Sequence, residues 1–271
     1  MRSVSDMRHD NKPVILMYHS IVPYEVDPSR TTVHPQRFEQ HMRWLHQRGR
    51  RGTSVRELLE ARQNGAADGL VGITFDDGYS DFIDNALPVL QRYGFNATVF
   101  MLGGRLGGDN SWIPDDPRKD LLTAEQIKQL AASGIEIGSH GLLHPSLPSV
   151  DEATLADELQ NSRRVLQDVS GQEVPGFAYP FGHLDARAFR GVQDAGYDYA
   201  CSVWPTEFSG PYALTRINVL DKYSYGHMWY KGIRHWLRWE YEGVGSRALV
   251  AGDAWVKRLR SAPRQEASVA E

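Results

Sequence analysis

Leu70-Val71-Gly72-Ile73-Thr74-Phe75-Asp76-Asp77-Gly78-Tyr79 joins an apolar run to two adjacent carboxylates and a glycine. The run has the length and the flanking turn residues of a buried strand. Burying an unpaired carboxylate costs several kcal/mol, so a pair at a strand end requires a compensating cation or a solvated pocket. Taken alone, the stretch is equally a strand followed by an Asp-Gly turn. The remainder of the chain decides between these readings.

Upstream, Pro13 to Tyr18 reads as a buried strand ending at His19-Ser20, and residues 23–36 read as a loop. Phe38, Met42 and Leu45 recur at helical spacing and stop at Gly49. Ser54 can cap a short helix through Leu59. Downstream, a helix is predicted over 81–93, with Phe82, Ala86, Val89 and Leu90 on one face and Gly94 at its end; Pro88 predicts a kink or break in it. Ala97 to Leu102 is a further apolar strand, followed by a Gly- and Asp-rich loop to residue 120. Thr123 with Gln126 makes a capping box for a helix ending at Gly134. Ile135 to Ser139 is a short strand that delivers His140. Ser149 with Glu152 makes a second capping box, opening a helix that runs to Val169. Gly176 to Tyr179 is a strand, Ala186 to Ala195 a helix ended by Gly196, and 198–203 a strand.

This alternation of strands and helices implies βαβ units and a parallel sheet. With no break in composition, the predicted fold class is α/β, and one barrel-like domain over residues 13–220 is the economical reading. Residues 221–262 read as an aromatic-basic extension packing on the barrel, and 263–271 as a disordered tail.

The 271 residues are 41% hydrophobic and 24% charged, as in ordinary soluble globular proteins. A net charge of -4 argues against a nucleic-acid partner. The single cysteine, Cys201, excludes an internal disulfide; within Tyr199-Ala200-Cys201-Ser202-Val203 it reads as a small buried residue. The first twelve residues are polar, and the apolar run Val14 to Tyr18 is too short for a signal-peptide core. No segment has the length of a membrane span, so the expected location is cytoplasmic.

Residues with catalytic potential recur at the C-terminal ends of predicted strands: His19, Asp76-Asp77, Ser139-His140 with His144, and Tyr179-Pro180-Phe181-Gly182. In parallel barrels that is the face where active sites form. Residues four apart in a helical turn or tight loop point the same way, so His140 and His144 can grip one metal ion. A strand-end carboxylate adds an oxygen to the two nitrogens. Three protein ligands that leave positions open for water are the layout of a catalytic metal site. One aspartate then binds the ion. The other takes a proton from water, whose pKa a bound ion lowers to about 7. The implied class is metal-assisted hydrolysis.

TFDDGYSD, SHGLLHPSL and FAYPFG resemble the three main motifs of the NodB-type polysaccharide deacetylases, carbohydrate esterase family 4. Leu16-Met17-Tyr18-His19-Ser20 resembles a subgroup whose N-terminal strand ends in Tyr-His. The similarity covers residues 14–220 in the family's order. It implies an irregular (β/α) barrel, with Asp76 as general base and Asp77, His140 and His144 as ligands of a divalent metal. That metal is Zn²⁺ first, with Co²⁺, Ni²⁺, Mn²⁺ or Fe²⁺ as alternatives. It also implies that the Phe181 peptide N–H donates to the oxyanion, and it places Tyr179, Pro180 and Arg216 on the substrate side.

Two positions depart from the family pattern. The third motif of many members opens with an Arg that orients the base, and here that position is Ala178. The late Leu-x-x-His element, source of the general acid, is replaced by Leu214-Thr215-Arg216-Ile217, and an Arg is no proton donor at neutral pH. His19 is the leading substitute acid, with His183 and His227 behind it. The expected reaction removes an N-acetyl group from an amino sugar in an oligo- or polysaccharide, or in a lipid- or nucleotide-linked precursor. Competing readings are an O-acetyl esterase or non-sugar amidase on the same site, and a catalytically lapsed glycan-binding module. The stretch 223–241 interleaves Trp and Tyr with Lys and Arg. It reads as a closing helix, a peripheral membrane contact or a sugar platform.

Overall fold

The computed structural model describes residues 13–204 and 206–222. β1 (Ile15–Tyr18) is buried throughout and leads into two short strands, β2 (Ser20–Ile21) and β3 (Thr32–Val33), which pair in parallel. α1 (Pro35–Gln47) starts on a proline, whose fixed φ suits the first helical turn, and buries Phe38, Met42 and Leu45. β4 (Arg51–Thr53) falls where no strand was expected, because Arg51-Gly52 carries no apolar pattern. α2 (Val55–Gln63) opens on a reciprocal capping box between Ser54 and Glu57, and β5 (Leu70–Phe75) follows.

The helix expected over 81–93 is broken. Phe82–Ala86 forms a π-helical turn, and α3 (Leu87–Arg92) restarts with Pro88 in its first turn, where the missing N–H costs nothing. β6 (Thr98–Met101), α4 (Ala124–Ala132) with its Thr123–Gln126 box, and β7 (Glu136–Ser139) come next. α5 (Glu152–Ala156) is capped by Asp151, whose carboxylate accepts from the Thr154 N–H. The expected cap, Ser149, lies two residues too early, in a 3₁₀ turn. A π turn at Asp157–Asn161 continues into α6 (Ser162–Ser170). β8 (Gly176–Ala178), α7 (Ala186–Asp194), β9 (Tyr199–Ser202), β10 (Leu214–Thr215) and β11 (Ile217–Asn218) complete the described order.

The main sheet runs β10-β9-β8-β7-β6-β5-β1-β11, and each pairing in it is parallel. Its two ends, β10 and β11, are consecutive in the chain and separated only by Arg216. One short segment therefore closes an eight-strand barrel almost completely. β4 pairs with the first half of β5, on the edge whose second half pairs with β6.

Strand alternation sorts the core into two clusters. Leu16, Tyr18, Phe177, Tyr179 and Ala200 join α1 residues Phe38 and Met42 in the layer between sheet and helices. Ile15, Phe100, Ala178, Tyr199 and Cys201 form the barrel interior with Val55 and Leu58 of α2. Each large side chain buried in this way contributes about 1.5–3 kcal/mol. The interior is tight: a Cβ at Gly176 would overlap the Tyr199 ring. Cys201 is free and fully buried, as expected.

Among the described residues no helix is long and apolar enough to cross a membrane. The expected extension 221–262 beyond Lys222, its aromatic-basic stretch 223–241 with His227, and the tail 263–271 lie outside the described residues.

Candidate active site

Because the strands are parallel, the residues following β1, β5, β7, β8 and β10 share one end of the barrel. These are His19, Asp76-Asp77, His140, Tyr179 and Arg216. Four non-glycine described residues have φ in the left-handed region, and three of them are here: Asp77 (71°), His144 (68°) and Phe181 (59°). Such strain persists where surrounding contacts over-determine it, and it gathers at functional sites.

Asp77, His140 and His144 are all buried, and each offers an atom within 4.8 Å of the others. Both histidine Nε2 atoms face Asp77 Oδ1, at 3.5 and 3.4 Å. His140 is aimed by its other nitrogen, which lies 2.7 Å from the Ala178 carbonyl. A ligating imidazole is ordinarily oriented in this way. Asp77 Oδ1 has no hydrogen-bond partner among the described residues although it is buried. Burial, then the charge of Asp76, pushes the Asp77 carboxyl up to about 8, and burial lowers both imidazoles so that they are neutral. Two neutral imidazoles and an orphaned carboxylate oxygen fit a divalent cation, which would supply the missing partner.

In the metal-free protein this arrangement costs stability. The folded Asp77 carboxyl lies above its ordinary 3.8, so its contribution is fully present below that value and is lost as pH rises toward about 8. In chelator, thermal unfolding midpoints are expected to fall across this window relative to Asp77→Asn, and added Zn²⁺ is expected to flatten the fall. A wild-type midpoint that rises relative to the variant over the same window contradicts the arrangement.

Asp76 behaves oppositely. The Arg216 guanidinium donates to it in a two-point fork, Nη1 to Oδ1 at 2.6 Å and Nη2 to Oδ2 at 2.7 Å. Nη1 also reaches Thr74 Oγ1, and Nε the Ser202 carbonyl. Burial would raise the Asp76 carboxyl, but Arg216 and His140 outweigh it and bring it to about 2. The Asp76 carboxylate is therefore held ionised and fixed.

This geometry corrects two expectations. Arg216 was placed on the substrate side, but its side chain is 0% exposed and is spent on Asp76. The orienting Arg missing at Ala178 is thereby replaced from elsewhere in the chain. Position 178 faces the barrel interior, and Arg216 enters the same interior from the β10–β11 junction, over the Phe100 ring. Tyr179, also expected to shape the groove, alternates outward. It is 0% exposed and donates its hydroxyl to the Tyr212 carbonyl. Pro180 is buried in the first turn position of Pro180–Gly182.

Phe181 stands at the opening, 48% exposed, with its ring 4.4 Å from that of His144. Trp112 stacks on the same imidazole at 5.3 Å, and Arg105 lies over the indole. The Trp112 contact had no sequence signal beyond the position of its loop. His19 is partly buried. Burial, only partly opposed by Asp76, lowers its imidazole to about 4, so it is neutral at neutral pH. His183 hydrogen-bonds with Ser146 Oγ, and its ring lies tilted against that of Phe181.

Residues 63–200 match the family model described as polysaccharide deacetylase. The "Putative polysaccharide deacetylase YxkH" of Bacillus subtilis (strain 168) is 33% identical over 210 residues, covering 76% of this chain and 70% of its own. The poly-beta-1,6-N-acetyl-D-glucosamine N-deacetylase of Staphylococcus aureus (strain MSSA476) is 26% identical over 203 residues, covering 70% and 68%. Among solved structures, the Streptococcus pyogenes deacetylase PplD in complex with acetate superposes with a TM-score of 0.67 at 25% identity, covering 81% of this chain and 97% of that one. With the motif order, the parallel barrel and these likenesses together, the chain belongs to the NodB-type polysaccharide deacetylase family, carbohydrate esterase family 4.

Proposed function

We propose that this chain is a divalent-metal-dependent hydrolase that removes N-acetyl groups from an amino sugar in a glycan or glycan precursor. The observation that carries the reading is the Asp77–His140–His144 cluster beside an aspartate locked by Arg216. The names of two relatives support the substrate class: one acts on poly-N-acetylglucosamine, and the other is a deacetylase solved with acetate, the product of such a reaction. The Tyr18-His19 strand end and Phe177-Ala178-Tyr179-Pro180 support assignment to the subgroup that carries those motifs.

Asp77, His140 and His144 would hold the ion. When bound, it acidifies water and polarises the amide carbonyl. Asp76 faces the attacking water as base, its carboxylate plane set by the Arg216 fork. The Phe181 peptide N–H serves the developing oxyanion. Among the described residues, His19 is the imidazole outside the Asp77–His140–His144 cluster whose charge couples to that of Asp76. His19 is the proposed donor of a proton to the leaving amine. Trp112 and Phe181 offer apolar faces to the sugar ring.

Acetate release from N-acetylglucosamine oligomers tests the reading. Release is expected to stop in chelator, to return with Zn²⁺, and to be lost with the bound ion in His140→Ala. Release that persists in chelator removes the metal from the scheme. Hydrolysis of acetyl esters alone indicates an O-acetyl esterase, and ion binding without any release indicates the lapsed glycan-binding module.

A further inference from the structure

The loop between His140 and His144 is held by an element that none of the three motifs contains. Its carbonyls are fixed by strand-end peptides, Gly103 N–H to Gly141 and Gly104 N–H to Leu142. Its amides need separate partners, since buried N–H groups are rarely left unpaired. Ser139 Oγ accepts from the Gly141 N–H. The next two amides, Leu142 and Leu143, both donate to the carboxylate of Glu158, with Leu142 N 2.6 Å from Oε2 and Leu143 N 3.2 Å from each oxygen.

Glu158 is 2% exposed and sits in the π turn Asp157–Asn161. Such turns shift the register of a helix by one residue and recur at functional sites. Its own carbonyl accepts from Ser162 Oγ, which also bonds Ser139 Oγ at the end of β7. The carboxylate occupies space that a side chain at position 141 would take. Gly141 has φ of 89°, and a Cβ there would lie 2.6 Å from Glu158 Oε2.

We infer that Glu158 is a positioning residue for the divalent-ion site: by clamping the Leu142 and Leu143 amides it fixes the spacing and aim of His140 and His144. The inference rests on the reading of Asp77, His140 and His144 as ion ligands. His144 makes the clamp more consequential, because its buried Nδ1 has no hydrogen-bond partner of its own among the described residues. The orientation that a partner on the ring would supply must then come from the backbone.

The test is a Co²⁺ titration followed by ligand-field absorption, with Zn²⁺ competition, on wild type, Glu158→Ala and the near-isosteric Glu158→Gln. Glu158→Ala is expected to lose about 10–100-fold in affinity, as removal of a partner behind a ligating residue typically does. Glu158→Gln keeps one acceptor oxygen and is expected to fall between Ala and wild type. At saturating ion, kcat is expected to recover most of its value with KM unchanged. A merely structural Glu158 would lower the metal-free unfolding midpoint and leave the affinity of the folded protein untouched. Wild-type affinity in folded Glu158→Gln and Glu158→Ala overturns the inference; if Ala does not fold, Gln alone decides. A wild-type protein that binds no Co²⁺ defeats the metal reading instead, so the two failures are distinguishable.

Discussion

Asp76→Asn is expected to lower kcat/KM by about 10²–10⁴-fold, the usual contribution of a positioned base, while leaving the bound ion in place. Asn retains the shape and one acceptor for the Arg216 fork but has no basic oxygen. Metal content should stay at the wild-type level, because Asp77, His140 and His144 are intact and Asp76 offers them no ligand atom. The measurement is acetate release per folded, metal-loaded molecule, with metal content determined in parallel. Activity within a few-fold of wild type removes Asp76 from the base role. Loss of the ion together with activity moves Asp76 into the ligand set.

Arg216→Met is expected to cost about 3–5 kcal/mol, the penalty for removing one partner of a buried pair and stranding the other charge. The fork is fully buried on both sides, so solvent screens little of it. The sign with pH follows from the direction at Asp76. In wild type its carboxyl is depressed to about 2, so the pair's contribution is present above the ordinary 3.8 and is lost as pH falls through about 2. Without Arg216, burial dominates and raises the carboxyl. The stability gap between variant and wild type should therefore widen from acid to neutral pH. Denaturant unfolding across that range measures it. The double variant Asp76→Asn/Arg216→Met is expected to recover part of the loss, since it leaves no lone charge. Arg216→Lys should not substitute, because a point ammonium cannot make the two-point contact. A gap that stays flat with pH would show that the fork contributes packing rather than charge.

Two local features show how far sequence carries. The break at Pro88 was legible because a proline's missing N–H acts within its own turn. The cap falls at Asp151 rather than Ser149, because two capping patterns overlap within the six residues from Ser149 to Thr154 and only the start of the first helical turn chooses between them.

The site divides along the same line. Its two motifs with local geometry, Asp76-Asp77-Gly78 and His140 to His144, were readable because a strand end and a tight loop bring their own members together. Strand–helix alternation likewise determined the parallel barrel. Arg216 was not readable as the partner of Asp76, since the two are 140 residues apart in the chain. Only barrel closure, with β10 on β9 and β11 on β1, turns position 216 inward beneath Asp76. Glu158 is a similar case: a π turn aims its carboxylate at a loop sixteen residues away. Sequence determined which residues could do the chemistry. Tertiary structure decided which buried charges compensate them, because pairing across the sheet depends on closure and strand alternation, and neither leaves a local pattern.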